Sequence, residues 1–186
     1  MIPPFTSENV LPHMLPDPVA AQHGPWHCTA VELVDRFGTT PTRRRFLLAW
    51  LDFRRDLLAA GFVGAFQWID GSFVEAQPSE PHDIDVLTFL SSAQFGDDDE
   101  AFEAAVARMP WFDEPIAKQQ FGLQARMVDF HRKDSRHLVA EVCTWTMLFS
   151  HRRGGEPKGW LQIVVDSPQA DAEARQRLIE LNEEAK

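Results

Sequence analysis

The 186-residue chain has no tyrosine, so its own side chains can carry no step that needs a phenol. Cysteine is nearly as scarce. Cys28 and Cys143 are the only two, far apart and outside any paired spacing that would build a zinc site. They read as two reduced, largely buried thiols. No apolar run approaches the length of a membrane-spanning helix, so no membrane partner is expected. The start, "MIPPFTSENVLPHMLP", lacks the basic residues and apolar stretch of a secretory signal, which makes the cytoplasm the expected compartment. Positive charge is also short: 18 Lys and Arg stand against 28 Asp and Glu, a net charge of −10. Such a surface repels a phosphate backbone and disfavours indiscriminate nucleic-acid binding. Two local basic stretches remain, "TRRRF" (Arg43, Arg44, Arg45) and "HRRGGEPKG" (His151, Arg152, Arg153, Lys158).

What is present suits one globular domain. The hydrophobic content of 44% and the length allow a sizeable core. Residues 1–26 hold Pro3, Pro4, Pro12, Pro16, Pro18 and Pro25 and show little periodicity, which predicts an extended arm ahead of a single domain over 27–186.

Helices are predicted at "TAVELVDRFG", with Thr29 as cap and Gly38 as stop, and over "TPTRRRFLLAWLDFRRDLLAAG", opened by Thr40 or Thr42. A third falls at "DDDEAFEAAVARM" and a terminal one at "SPQADAEARQRLIELNEEA", with Ser167 as cap. Strands are predicted at "VGAFQWID", "DIDVLTFL", "GLQARMVDFH" and "GWLQIVVD". "HLVAEVCTWTMLF" fits either type. The alternation implies an α/β (α+β) fold with a sheet flanked by helices.

The chemistry concentrates in "IDGSFVEAQPSEPHDIDVLTF", residues 69–89. Alternate side chains of a strand share a face, so Asp83 and Asp85 project together while Ile84 points to the core. Two neighbouring carboxylates repel each other, and a divalent cation removes the conflict. Magnesium takes one or two carboxylates plus substrate phosphates, and a third carboxylate from a neighbouring strand would complete a two-metal site. Gly71 permits close backbone approach to a phosphate, and the Ser72 hydroxyl can donate to the same oxygens.

A strand, a Gly-Ser pair, ten residues, then Asp-x-Asp entering a second strand resembles the signature of the DNA polymerase β-like nucleotidyltransferase superfamily, at the spacing of its minimal members. "WIDGSFV", "PHDIDV", "VDF" and "TWTMLFSHRRGGEPKGWLQI" together also resemble a family of small uncharacterised bacterial proteins of that type. The resemblance implies a nucleotidyltransferase-like mixed sheet. It implies Mg²⁺- or Mn²⁺-dependent transfer of a nucleoside monophosphate from a nucleoside triphosphate (ATP among the candidates) to an acceptor hydroxyl. The acceptor would be an RNA end such as that of tRNA, a protein or a small molecule. By match, Gly71 and Ser72 would hold the triphosphate and Asp83 and Asp85 the metal. The third acid would be Asp129 in "ARMVDFH", with Glu141 as its competitor. Lys158 would reach a phosphate, as Arg152 and Arg153 could. By analogy the resemblance permits a toxin–antitoxin role. The alternative is a catalytically inactive module of this fold that acts by binding a partner protein. One departure favours it: the connector "FVEAQPSEPH" holds Glu75 and Glu80 but no Lys or Arg.

Overall fold

The computed structural model describes residues 1–13, 25–76, 79–96, 98–131, 134–166 and 168–184. Pro16, Pro18 and the expected Ser167 cap lie outside them. Among the described residues, helices and a five-stranded mixed sheet form an α/β fold. The strands are β1 (Trp26–His27), β2 (Phe66–Asp70), β3 (Ile84–Leu90), β4 (Leu123–Asp129) and β5 (Leu161–Val164), in the order β1-β5-β2-β3-β4. β2 runs antiparallel to β3 and β5, while β4 is parallel to β3 and β1 to β5. The sheet therefore starts at Trp26, inside the proline-rich stretch, and Leu11 of that stretch is buried in the core.

Helix α1 (Ala30–Phe37) opens on a capping box. The Thr29 hydroxyl accepts from the Glu32 N–H, and the Glu32 carboxylate accepts from the Thr29 N–H. Thr40 caps α2 (Pro41–Ala59), and Pro41 occupies its first turn, where no donor is lost. The apolar stripe Phe46, Leu47, Trp50, Leu51, Phe53 and Leu57 packs α2 on one sheet face, with Ile69, Val86 and Ile163 beneath it. Helix α3 (Asp99–Ala107) is capped by Asp98, and a short α4 (Glu114–Ile116) passes into a π-helical turn at Ala117–Phe121. Helix α6 (Pro168–Glu184) joins α1 and α2 on the same face.

"HLVAEVCTWTMLF" is helical, within α5 (Ser135–Phe149). Leu138, Val142, Trp145 and Phe149 recur at helical spacing and cover the other sheet face, against Trp68, Leu87, Phe89, Val128 and Trp160. Cys143 falls on the outer side of this helix and is exposed, a correction to the expected buried thiol. Half-buried Cys28 is pushed up to about 12, chiefly by burial.

Arg54 ties the layers together. Its guanidinium pairs with Asp171 of α6 at 2.8 Å, donates to the Val164 carbonyl and lies over the Trp50 ring. Trp50 in turn donates to Gln67 on β2, which donates to Thr88 on β3. Arg43 and Arg44 are buried too. Arg43 donates to the Phe73 carbonyl, and Arg44 to Asn182 and the Gly38 carbonyl. Two of the three arginines of "TRRRF" are thus fasteners of the helix, while Arg45 is exposed.

Candidate functional site

The β2–β3 hairpin ladder places Asp70 directly across from Asp85, with Phe66 and Trp68 sharing their face. Gly71 follows at φ +83° and ψ −169°, a conformation open essentially only to glycine. Its bare Cα lets the Asp85 carboxylate lie against the turn, since a Cβ there would overlap Asp85 Oδ2. The chain then winds through a single 3-10 turn, Ser72–Val74, with Ser72 exposed and Phe73 and Val74 buried. Gly71, Ser72, Asp83 and Asp85 are therefore gathered at one end of the sheet.

Lys158 is also here, but not as a phosphate ligand. It is buried, and its ammonium meets Asp70 Oδ1 at 3.0 Å, Glu75 Oε1 at 3.3 Å and the Gly71 carbonyl at 3.3 Å. Burial, two hydrogen bonds and the ion pair with Asp70 hold the ammonium between turn and hairpin, a fastening place that differs from its expected nucleotide-binding role. Arg152 is similarly taken: it donates twice to Glu75 Oε2, at 2.8 and 3.0 Å, and to the Glu8 carbonyl. The 151–158 hairpin, closed by the His151–Pro157 bridge, brings Arg152 and Lys158 to Glu75 of the connector. Arg153 at its tip is exposed, and its charge acts on Asp85.

On the β4 side, Asp83 pairs with Lys118 of the π-helical turn at 2.7 Å. Lys118 also donates to Gln124 Oε1 at 3.1 Å. Gln124 is the residue across from Asp85 in the β3–β4 ladder. Burial, then the neighbouring Asp83 charge, holds the Asp85 carboxyl above its ordinary value. Asp70 is pushed up to about 7, mainly by burial and in spite of Lys158.

Asp129 does not join this group. It pairs with Leu90, five ladder positions from Asp85, which puts it roughly 16 Å along the strands. Strand alternation also turns it to the opposite face from Gln124. Parallel pairing of β4 with β3 is the reason: Asp129 ends β4 where β3 also ends, while Asp85 begins β3. Its carboxylate accepts from the Ser92 and His131 N–H groups, both at 3.0 Å, and so closes two loops. Glu141 lies on α5, not on a strand.

A two-metal centre needs three converging acids, and among the described residues no group of three or more His, Cys, Asp or Glu side chains is arranged to hold a metal. Asp70, a further acid beside Asp85, is held by Lys158. The triad Asp83, Asp85, Asp129 is therefore not assembled. The donor set suits less: Asp83, Asp85 and the Gln124 amide oxygen are hard oxygen donors for one divalent cation that completes its shell with phosphate oxygens. Asp70, Lys118 and Gln124 escaped the sequence reading. Asp70 adjoins Gly71 in the 69–89 stretch, but its proximity to Asp85 needs the hairpin register. Lys118 sits in "IAKQQFG", which carries no signal of its own.

A family model described as a family of unknown function (DUF6932) matches residues 3–164. The chain belongs to this family. No curated protein and no solved structure matches it. The span of this family covers both halves of the site, the Gly71–Asp85 stretch and the hairpin that carries Lys158.

Proposed function

We propose that this member of the DUF6932 family is a nucleotidyltransferase-like module that binds a nucleoside triphosphate with one Mg²⁺ or Mn²⁺ ion. It acts through a partner protein and not by nucleotidyl transfer. The observation that carries this reading is Gln124 across from Asp85, an amide where the two-metal reaction requires a third carboxylate. A bound ion would neutralise the Asp83–Asp85 pair and bridge it to phosphate oxygens. Gly71 lets the Asp85 carboxylate lie against the turn, and exposed Arg153, with half-exposed Lys118 once released from Asp83, would meet a triphosphate. Partner binding is supported by α5. From Leu138 to Phe149 its only charged residue is Glu141, and its outer side exposes Val139, Met147 and Leu148 by 61%, 67% and 57%.

A second reading, Mg²⁺-dependent transfer of a nucleoside monophosphate to an RNA end, a protein or a small molecule, is favoured by one feature. The Asp83 charge acts on Asp85, and the two acids lie beside a turn that only glycine can make. Calorimetric titration of ATP, CTP, GTP and UTP with Mn²⁺, on wild type and Asp83→Ala/Asp85→Ala, tests the binding claim. Absence of metal-dependent binding by wild type sinks both readings. Incubation with α-labelled nucleotide and a cell extract then separates them. Label on RNA or protein that depends on Asp83 and Asp85 selects the enzyme; binding without label selects the module.

A further inference from the structure

Lys118 is the least conventional member of this site. It projects from a π-helical turn, a rare geometry that appears mostly as isolated turns and frequently at functional sites. The turn is firmly held. Gly122 closes it at φ +69°, the Phe46 ring occupies the space a side chain there would need, and the Gly122 carbonyl accepts from the Ile84 N–H at 2.9 Å. The Gly122 N–H donates back to the Lys118 carbonyl. The backbone that carries Lys118 is thereby locked to the first residue of β3, next to Asp83.

The ammonium spans Asp83 Oδ2 at 2.7 Å and Gln124 Oε1 at 3.1 Å. These are two of the oxygens a divalent cation on this pair would use. The Lys118 side chain is 48% exposed, whereas that of Asp83 is only 14% exposed. The cation thus reaches down from solvent onto a mostly buried carboxylate, on a flexible stem with room to swing back. Lys158 differs on each count: it is buried, and its three contacts fasten the turn and the hairpin.

We propose that Lys118 is a built-in, displaceable counter-ion that competes with the divalent cation for Asp83 and Gln124, so that metal alone binds weakly and metal with nucleotide binds well. The inference rests on the one-ion reading of Asp83 and Asp85. Displaced from Asp83, the Lys118 ammonium has the triphosphate as its next acceptor, so it opposes the ion in the empty site and assists it when nucleotide is present. The two ligands become coupled through one side chain.

Mn²⁺ is the probe, followed by electron paramagnetic resonance and by calorimetry, without nucleotide and then with ATP. Lys118→Met should bind Mn²⁺ alone about fivefold more tightly than wild type, the upper scale of one exposed ion pair. Its gain in Mn²⁺ affinity on adding ATP should be correspondingly smaller than that of wild type. Lys118→Arg, which keeps the charge, should stay within about threefold of wild type. Thermal melts by circular dichroism check that each variant is folded, and Lys118→Gln serves should the methionine variant melt early. Equal Mn²⁺ affinity in wild type, Lys118→Met and Lys118→Gln overturns the counter-ion while leaving the one-ion site intact. No Mn²⁺ binding by any of them, with or without ATP, overturns the site and the counter-ion together.

Discussion

Gln124 and Asp85 face each other across the β3–β4 ladder, on the sheet face that also carries Asp70. An amide in that position accepts a hydrogen bond from Lys118 and adds no negative charge to a pair of acids that already repel. Under the one-ion reading proposed above, it separates a site for one cation from a centre that holds two. Several consequences can be measured.

Replacing Gln124 with Asp supplies the third carboxylate in place. Mn²⁺ affinity is expected to rise by about tenfold, and nucleotide label transfer should appear if this acid is all that transfer lacks. Calorimetry on Gln124→Asp beside wild type reads the first, and the labelling assay the second. An unchanged Mn²⁺ affinity would show that position 124 does not border the ion.

Gly71→Ala forces a side chain into the Asp85 carboxylate at a backbone angle reserved for glycine. A cost of about 1–3 kcal/mol is expected from the strained backbone. Loss of nucleotide binding should exceed what instability explains, because Asp85 must move. Urea denaturation together with nucleotide titration under native conditions checks both parts.

Lys158→Met strips the buried Asp70 of its cation and leaves Glu75 with Arg152. Breaking a buried pair from one side costs about 3–5 kcal/mol where the remaining acid stays charged, and less at a pH where Asp70 takes up a proton. Lys158→Met/Asp70→Asn should recover part of that loss, since no lone charge then remains. A double variant no more stable than Lys158→Met would place the cost elsewhere in the hairpin.

Asp70 also sets a pH dependence. Its carboxyl is raised to about 7 in the folded chain and is ordinary when unfolded, so the folded state holds the proton more tightly. The associated stability is fully present below the unfolded value of about 4 and is lost as pH rises through about 7. The difference in urea midpoint between wild type and Asp70→Asn should therefore fall from pH 5 to pH 8. A flat difference would mean that Asp70 does not titrate in that window.

Asp129→Ala removes the acceptor for the Ser92 and His131 N–H groups and should cost about 1–3 kcal/mol. Mn²⁺ and nucleotide affinity, measured well below the melting temperature, should not change. A loss of either would return Asp129 to the site.

Local rules made much of this architecture legible. Thr29 with Glu32, and Thr40 with Pro41, announce their helices, because capping involves neighbours within one turn. Apolar strands broken by turn residues mark β2, β3 and β5. "HLVAEVCTWTMLF" was not decided by pattern, because its β-branched residues and its helical spacing point in opposite directions. The sheet face left open beside Trp68 and Phe89 settles it, since a helix there buries Leu138, Val142, Trp145 and Phe149 together. Cys143 follows from the same choice, turned outward by the helical rotation.

By itself the sequence determined that Asp83 and Asp85 sit at the start of one strand and that a glycine turn precedes them, because both follow from residues adjacent in the chain. Only the tertiary structure decided which distant residues stand beside them. Parallel pairing of β4 with β3 set Gln124 against Asp85 and carried Asp129 to the other end and the other face. The hairpin and the π-helical turn then brought Lys158 to Asp70 and Lys118 to Asp83. Register and long-range docking are settled by burial summed over the whole core, and no short stretch of residues contains that sum.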